Sequence, residues 1–186
     1  NLSIHTCKID SLGQLLIGGN TPKFGDTTKI SGKLIIHSDD AHPQFDFITI
    51  TPNGMFGNNS SADITISKGI NNNGKFSGCL GTACDYLFLN DSVSFSGKDT
   101  IHIPRLKCNM IYNNGIVSIS KEIHVDSLFN LPNGTLVLSA DTQNISGIMD
   151  FSAMNNSVVF NKQGNQHISK SFDVIHNLIF QNNGEK

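Results

Sequence analysis

The amino-acid sequence predicts an all-β chain, a single domain over residues 1–186 built of short strands, and three observations carry that prediction. First, apolar side chains almost never fall at i, i+3, i+4 and i+7, so helical periodicity is nearly absent. Second, short alternating apolar segments recur along the chain, each ended by Gly, Asn, Asp or Pro. Third, many steps between successive strong segments fall around twenty residues, about the length of one rung of a parallel β-helix. A length of 186 residues allows one substantial core.

Taken in order, the strongest strand segments are Leu34-Ile35-Ile36, Phe47-Ile48-Thr49-Ile50, Ile64-Thr65-Ile66, Leu87-Phe88-Leu89 and Ile101-His102-Ile103. They continue with Ile116 to Ile119, Leu136-Val137-Leu138, Val158-Val159-Phe160 and Leu178-Ile179-Phe180. Weaker strands are expected at Val93 to Phe95, Ile123 to Val125, Ile148 to Phe151 and Ile168 to Ile175. A strand turns alternate side chains to opposite sides, so each segment needs a partner to cover its apolar side. In a parallel β-helix the rung above and the rung below supply that cover. In an antiparallel β-sandwich of the fimbrial-subunit kind, a facing sheet supplies it. Asn-Gly pairs at 53–54, 73–74, 114–115, 133–134 and 183–184 suit hairpin turns. They equally suit solenoid corners that need positive φ. The segment 110–117 reads well as a hairpin, and spacing alone leaves both architectures open.

Composition narrows the partners. Charged residues make up 15% of the chain, against about 25% in ordinary domains, and the polar surface is left to Asn, Ser, Thr and Gly. The net charge is −2 and Arg105 is the only arginine. Nucleic-acid binding normally needs clustered Lys and Arg, so no nucleic-acid partner is expected. No apolar run approaches the ~18 residues that span a bilayer, so no membrane insertion is expected. With no initiator Met and no apolar leader, the chain reads as a processed product, a segment of something longer or one subunit of a filament.

Residues 13–34, GQLLIGGNTPKFGDTTKISGKL, and residues 134–148, GTLVLSADTQNISGI, share one pattern: Gly, a short apolar strand, then a polar turn. The pattern resembles the passenger-associated repeat of bacterial autotransporters, with Pro22-Lys23-Phe24 standing where the family usually has an aromatic after the Asn turn. The resemblance covers about a fifth of the chain. It implies a single-stranded parallel β-helix, outside the cell or on a bacterial surface, and it favours that fold over the sandwich. Passengers include adhesins, toxins and proteases on one scaffold, so the scaffold alone does not dictate activity.

Candidate sites are sparse. Cys79 and Cys84 bracket a Gly-containing loop that could close as a disulfide in an oxidising compartment, and Cys7 and Cys108 have no assigned pairing. His37-Ser38-Asp39-Asp40-Ala41-His42 could supply the paired carboxylates of a glycoside hydrolase, but its ordinary reading is a solvated turn. Arg105-Leu106-Lys107 could serve a lyase; without clustered acids for calcium it carries little. His102 and His124 sit mid-strand between aliphatic residues, which turns their rings outward. Sequons occur in number, as expected in a chain this rich in Asn and Ser, and decide nothing. Asn, Ser and Thr ladders are expected on outward strand positions. No catalytic residue, cofactor or metal is assigned.

The function read from the sequence is an extracellular, non-enzymatic solenoid module, an adhesin or spacer, displaying loops 37–44, 52–62 and 71–86. The residues expected to meet a partner are Asp39, Asp40, His42, Asn58, Asn59, Asn72 and Asn73. A host surface protein or glycan is the expected ligand. The open ends are expected to meet a further rung, either more of the same polypeptide or another copy stacked end to end. The alternatives are a self-polymerising sandwich subunit of a fimbrial filament and a polysaccharide-degrading β-helix enzyme.

Overall fold

The computed structural model describes residues 2–78, 86–89, 92–140, 142–166 and 174–182. Every strand pair in it is parallel, and the strands stack as a β-solenoid of about eight turns. The antiparallel sandwich is thereby excluded. The Asn-Gly pairs within the described residues are corners where the chain changes face, and segment 110–117 turns such a corner instead of folding back as a hairpin.

The strands fall on three faces. Face A carries β3 (Gln14–Ile17), β5 (Lys33–Ile36), β7 (Met55–Asn58), β9 (Lys75–Ser77), β14 (Thr135–Leu138), β17 (Ser157–Phe160) and β18 (Leu178–Phe180). Face B carries β1 (Ser3–Ile4), β10 (Tyr86–Leu89) and β15 (Thr142–Ile145), and face C carries β2 (Cys7–Ile9), β11 (Ser92–Ser96) and β16 (Met149–Asp150). β4 (Lys23–Ile30), β6 (Gln44–Ile50) and β8 (Ile64–Asn72) bend across faces B and C. β12 (Thr100–Asn113) and β13 (Ile116–Asn130) run round all three. Register shifts at 24/27 and 45/47 mark the B–C corner, and a shift at 103/105, where Pro104 has no N–H to donate, marks the A–B corner.

Rung length varies because only the corners can absorb extra residues. Ile101 pairs with Val117, sixteen residues on, in the tightest turn. Phe76 pairs with Ile101, twenty-five residues on, in the loosest. Leu15, Leu34, Phe56, Phe76, Ile101, Val117, Leu136, Val158 and Leu178 nevertheless share one column on face A. Aromatic rings fill the N-terminal half of the core. Phe24 stacks on Phe45 at 4.7 Å, Phe45 meets Phe56 edge-on across the interior at 5.7 Å, and Phe56 stacks on Phe76 at 4.8 Å. Each buried ring or aliphatic side chain contributes about 1.5–3 kcal/mol by leaving water.

The corner between faces C and A explains the repeated Gly. Gly13, Gly32, Gly54, Gly74, Gly115 and Gly134 all sit immediately before a face-A strand segment. A Cβ on Gly32 would lie 2.1 Å from the Gly13 carbonyl oxygen, and one on Gly54 would lie 2.1 Å from that of Ile30. No side chain fits there, because successive rungs cross backbone to backbone.

Candidate recognition surface

Strand alternation decides which of the expected recognition residues reach solvent. Phe56 and Ile70 point inward, so Asn58 and Asn72, two positions further along their strands, do the same. Asn58 is 1% exposed: its Nδ2 donates to the Ala62 carbonyl (2.9 Å), and its Oδ1 accepts from the Ser60 N–H (3.0 Å) and Oγ (2.7 Å). Asn72 is fully buried: its Nδ2 donates to the carbonyls of Asp99 (3.2 Å) and Thr100 (2.9 Å), and its Oδ1 accepts from the Gly74 N–H (3.1 Å). Neither can meet a partner, which corrects the expectation for both. Counting the parity of each strand from its apolar residues would have shown this from sequence.

The same correction extends along the solenoid. The expected outward Asn ladder runs inside, at the corner between faces C and A. Asn113 Nδ2 donates to Asn130 Oδ1 (2.8 Å), and Asn130 Nδ2 donates to the carbonyls of Gly134 and Ser157 (both 3.1 Å). Asn156, also buried, donates to the Asn130 carbonyl, and Asn177, exposed on the last rung, donates to that of Asn156 (2.8 Å). At a corner the backbone groups of consecutive rungs diverge from ladder geometry, and a carboxamide satisfies both ends of the gap.

Asp39, Asp40, His42 and Asn59 are exposed. Asp39 Oδ1 accepts the Ser61 N–H of the next rung (2.7 Å), which holds its carboxyl below the usual carboxylate range. Asp40 donates its backbone N–H to Ser38 Oγ (3.3 Å), and His42 donates its own to the Asn20 carbonyl (3.2 Å). Asn73 is half-buried: it donates to Asn71 Oδ1 (2.9 Å) and accepts the Lys98 N–H (3.2 Å). The expected loop 52–62 is interrupted by β7, and the expected loop 71–86 by the end of β8 and by β9. Cys79 and Cys84 lie outside the described residues; Cys7 and Cys108 are free thiols. Burial, with Asp126 nearby, pushes the Cys108 thiol up to about 12.

His102 and His124 occupy outward positions between buried aliphatic neighbours, His102 exposed and His124 half-buried. Each lines a groove that sequence reasoning did not anticipate. On face A, Gly57, Ser77, His102 and Ser118 form one outward column in register. Gly57 and the two serines are small, and the surface sinks around the imidazole. A concavity of about 410 Å³ includes Met55, Lys75, Ser77, Asp99, Thr100 and His102, and a smaller one of about 110 Å³ shares Ser77 and His102 with it and reaches Ser118 and Ser120. On face B, about 330 Å³ lies among Lys107, Asn109, His124, Asp126, Asn144 and Ser146. There Asp126 accepts from Ser146 Oγ (2.7 Å), His124 pairs with Glu122, and Glu122 lies 3.7 Å from Arg105. Arg105 is thus tied to the neighbouring rung. Among the described residues no three His, Cys, Asp or Glu side chains converge as metal ligands, and no helix is long and apolar enough to cross a membrane.

The fold places the chain in the class of parallel β-solenoids. No protein-family model matches it, and no curated protein or solved structure is significantly similar to it.

Proposed function

We propose that the chain is a non-enzymatic β-solenoid module of an extracellular or bacterial-surface protein, acting as an adhesin or structural spacer. The observation that carries this reading is the continuous axis of rungs, locked from within by the Asn113–Asn130 hydrogen bond and its neighbours, in a chain with only 15% charged residues. Such a rod holds surface groups at fixed intervals and transmits its length without a hinge. The autotransporter resemblance supports the same reading: Gly13, Gly32 and Gly134, which open or close the matching stretches, stand at one structural corner.

The ends favour further rungs. Leu12 and Leu16 are exposed at one end, and Leu178, Ile179 and Phe180 at the other. β3 and β18 lie on the same face and run the same way, so a following rung fits either edge, from the same polypeptide or from another copy.

Beads coated with the purified chain, exposed to host cells and extracellular matrix, test the adhesive role against a globular control of equal size. Retention above that control supports it, and retention at the control level overturns it. Force microscopy tests the spacer role, which predicts a straight rod that unfolds rung by rung.

A further inference from the structure

We propose that the groove around His102 on face A binds a neutral oligosaccharide chain. This rests on the adhesive reading above and names its ligand class.

Three features of the groove point to a sugar. First, its polar groups are held at preset intervals. Ser77, His102 and Ser118 are on three consecutive rungs in strict register, about 4.8 Å apart. They therefore present hydroxyl, imidazole and hydroxyl over roughly 10 Å, with little ordering left to pay on binding. Second, the lining is amphipathic in the way a pyranose is: Met55 gives an apolar ledge for a ring's C–H face, while Lys75, Asp99 and Thr100 give donors and acceptors for its hydroxyls. Third, the formal charges of Lys75 and Asp99 cancel, which disfavours a uronate or phosphate and favours an uncharged ligand.

The groove on face B is the weaker choice. Its Asp126, Ser146 and His124 are engaged in pairs within the protein. By contrast, the side chains of Lys75, Thr100, His102 and Ser118 make no hydrogen bond or ion pair among the described residues. Their hydrogen-bonding capacity faces outward, ready for a ligand.

The test combines a glycan array carrying neutral and uronate oligosaccharides with NMR titration of the whole chain by the strongest neutral binder. Shifts should concentrate at Lys75, Ser77, Thr100, His102 and Ser118. His102→Ala should weaken binding about five- to tenfold, the value of about one net hydrogen bond. Ser118→Trp, which fills the hollow from an outward position, should abolish it. Asn144→Ala, in the other groove, should leave it unchanged. Circular dichroism checks that each variant folds, and His102→Ala decides the matter if the tryptophan variant does not. Retention of uronate chains alone overturns the ligand class. Neutral binding that both variants leave untouched overturns the groove and spares the adhesive reading. Cell retention with no glycan bound overturns the sugar and also spares that reading. Binding to neither removes both.

Discussion

Replacing Asn130 by Ala tests whether the internal carboxamides hold the rungs together. Asn130 is 1% exposed and takes part in three side-chain hydrogen bonds: from Asn113 Nδ2 at 2.8 Å, and to the carbonyls of Gly134 and Ser157 at 3.1 Å each. A net value of about 0.5–1.5 kcal/mol per bond gives a loss of about 2–4 kcal/mol. Buried carbonyls left without a donor push the cost toward the upper end, while Asn113 Nδ2 keeps its second bond to the Thr135 carbonyl (3.2 Å). Urea unfolding followed by circular dichroism measures the change. Asn144→Ala, at an exposed position, is the control and should fall within about 0.5 kcal/mol of the parent. A double-mutant cycle with Asn113→Ala should show a coupling of about 0.5–3 kcal/mol. An Asn130→Ala protein as stable as the Asn144→Ala protein would refute the reasoning, because the buried amides would then be doing nothing that packing does not already do.

Further outcomes are expected from the corners, thiols and carboxylates. Gly54→Ala should destabilise the chain by at least about 2 kcal/mol, since its Cβ would press on the Ile30 carbonyl, whereas Gly18→Ala, with open space around it, should stay within about 0.5 kcal/mol; thermal melts compare the two. Phe56→Ala should cost about 3–5 kcal/mol in urea unfolding, through loss of the ring stacked on Phe76 and edge-on to Phe45. At pH 8 a thiol reagent should label Cys7 well before Cys108, whose thiol is buried and held protonated; equal rates in the folded protein would contradict the burial. The Asp39 and Asp150 carboxyls should titrate below the ordinary value of 3.8 in an NMR pH series, because each accepts hydrogen bonds, from Ser61 and from Ser152. Their folded-state values are depressed, so whatever stability they add is present above 3.8 and is lost as pH falls through the folded-state values.

Much of the secondary structure was legible. The segments at Leu34–Ile36, Phe47–Ile50, Ile101–Ile103, Leu136–Leu138 and Leu178–Phe180 are strands, because alternation of aliphatic and polar residues ended by turn formers is a local signal. The direction of those strands was not legible. Asn114-Gly115 has the same local chemistry at a hairpin and at a solenoid corner, and only closure of the next rung, with Ile101 over Val117, distinguishes them. The candidate site divided in the same way. His102 and His124 were placed outward correctly from their neighbours. Asn58 and Asn72 were misplaced, because polarity was allowed to outweigh strand parity.

The sequence by itself determined where most of the strands lie and which aliphatic side chains seek the interior, for these depend on near neighbours. The tertiary structure alone decided that the asparagines at one corner turn inward and that two serines flank His102 in a single hollow. Those arrangements join residues about sixteen to twenty-five positions apart, and their register depends on how many residues each intervening corner takes up.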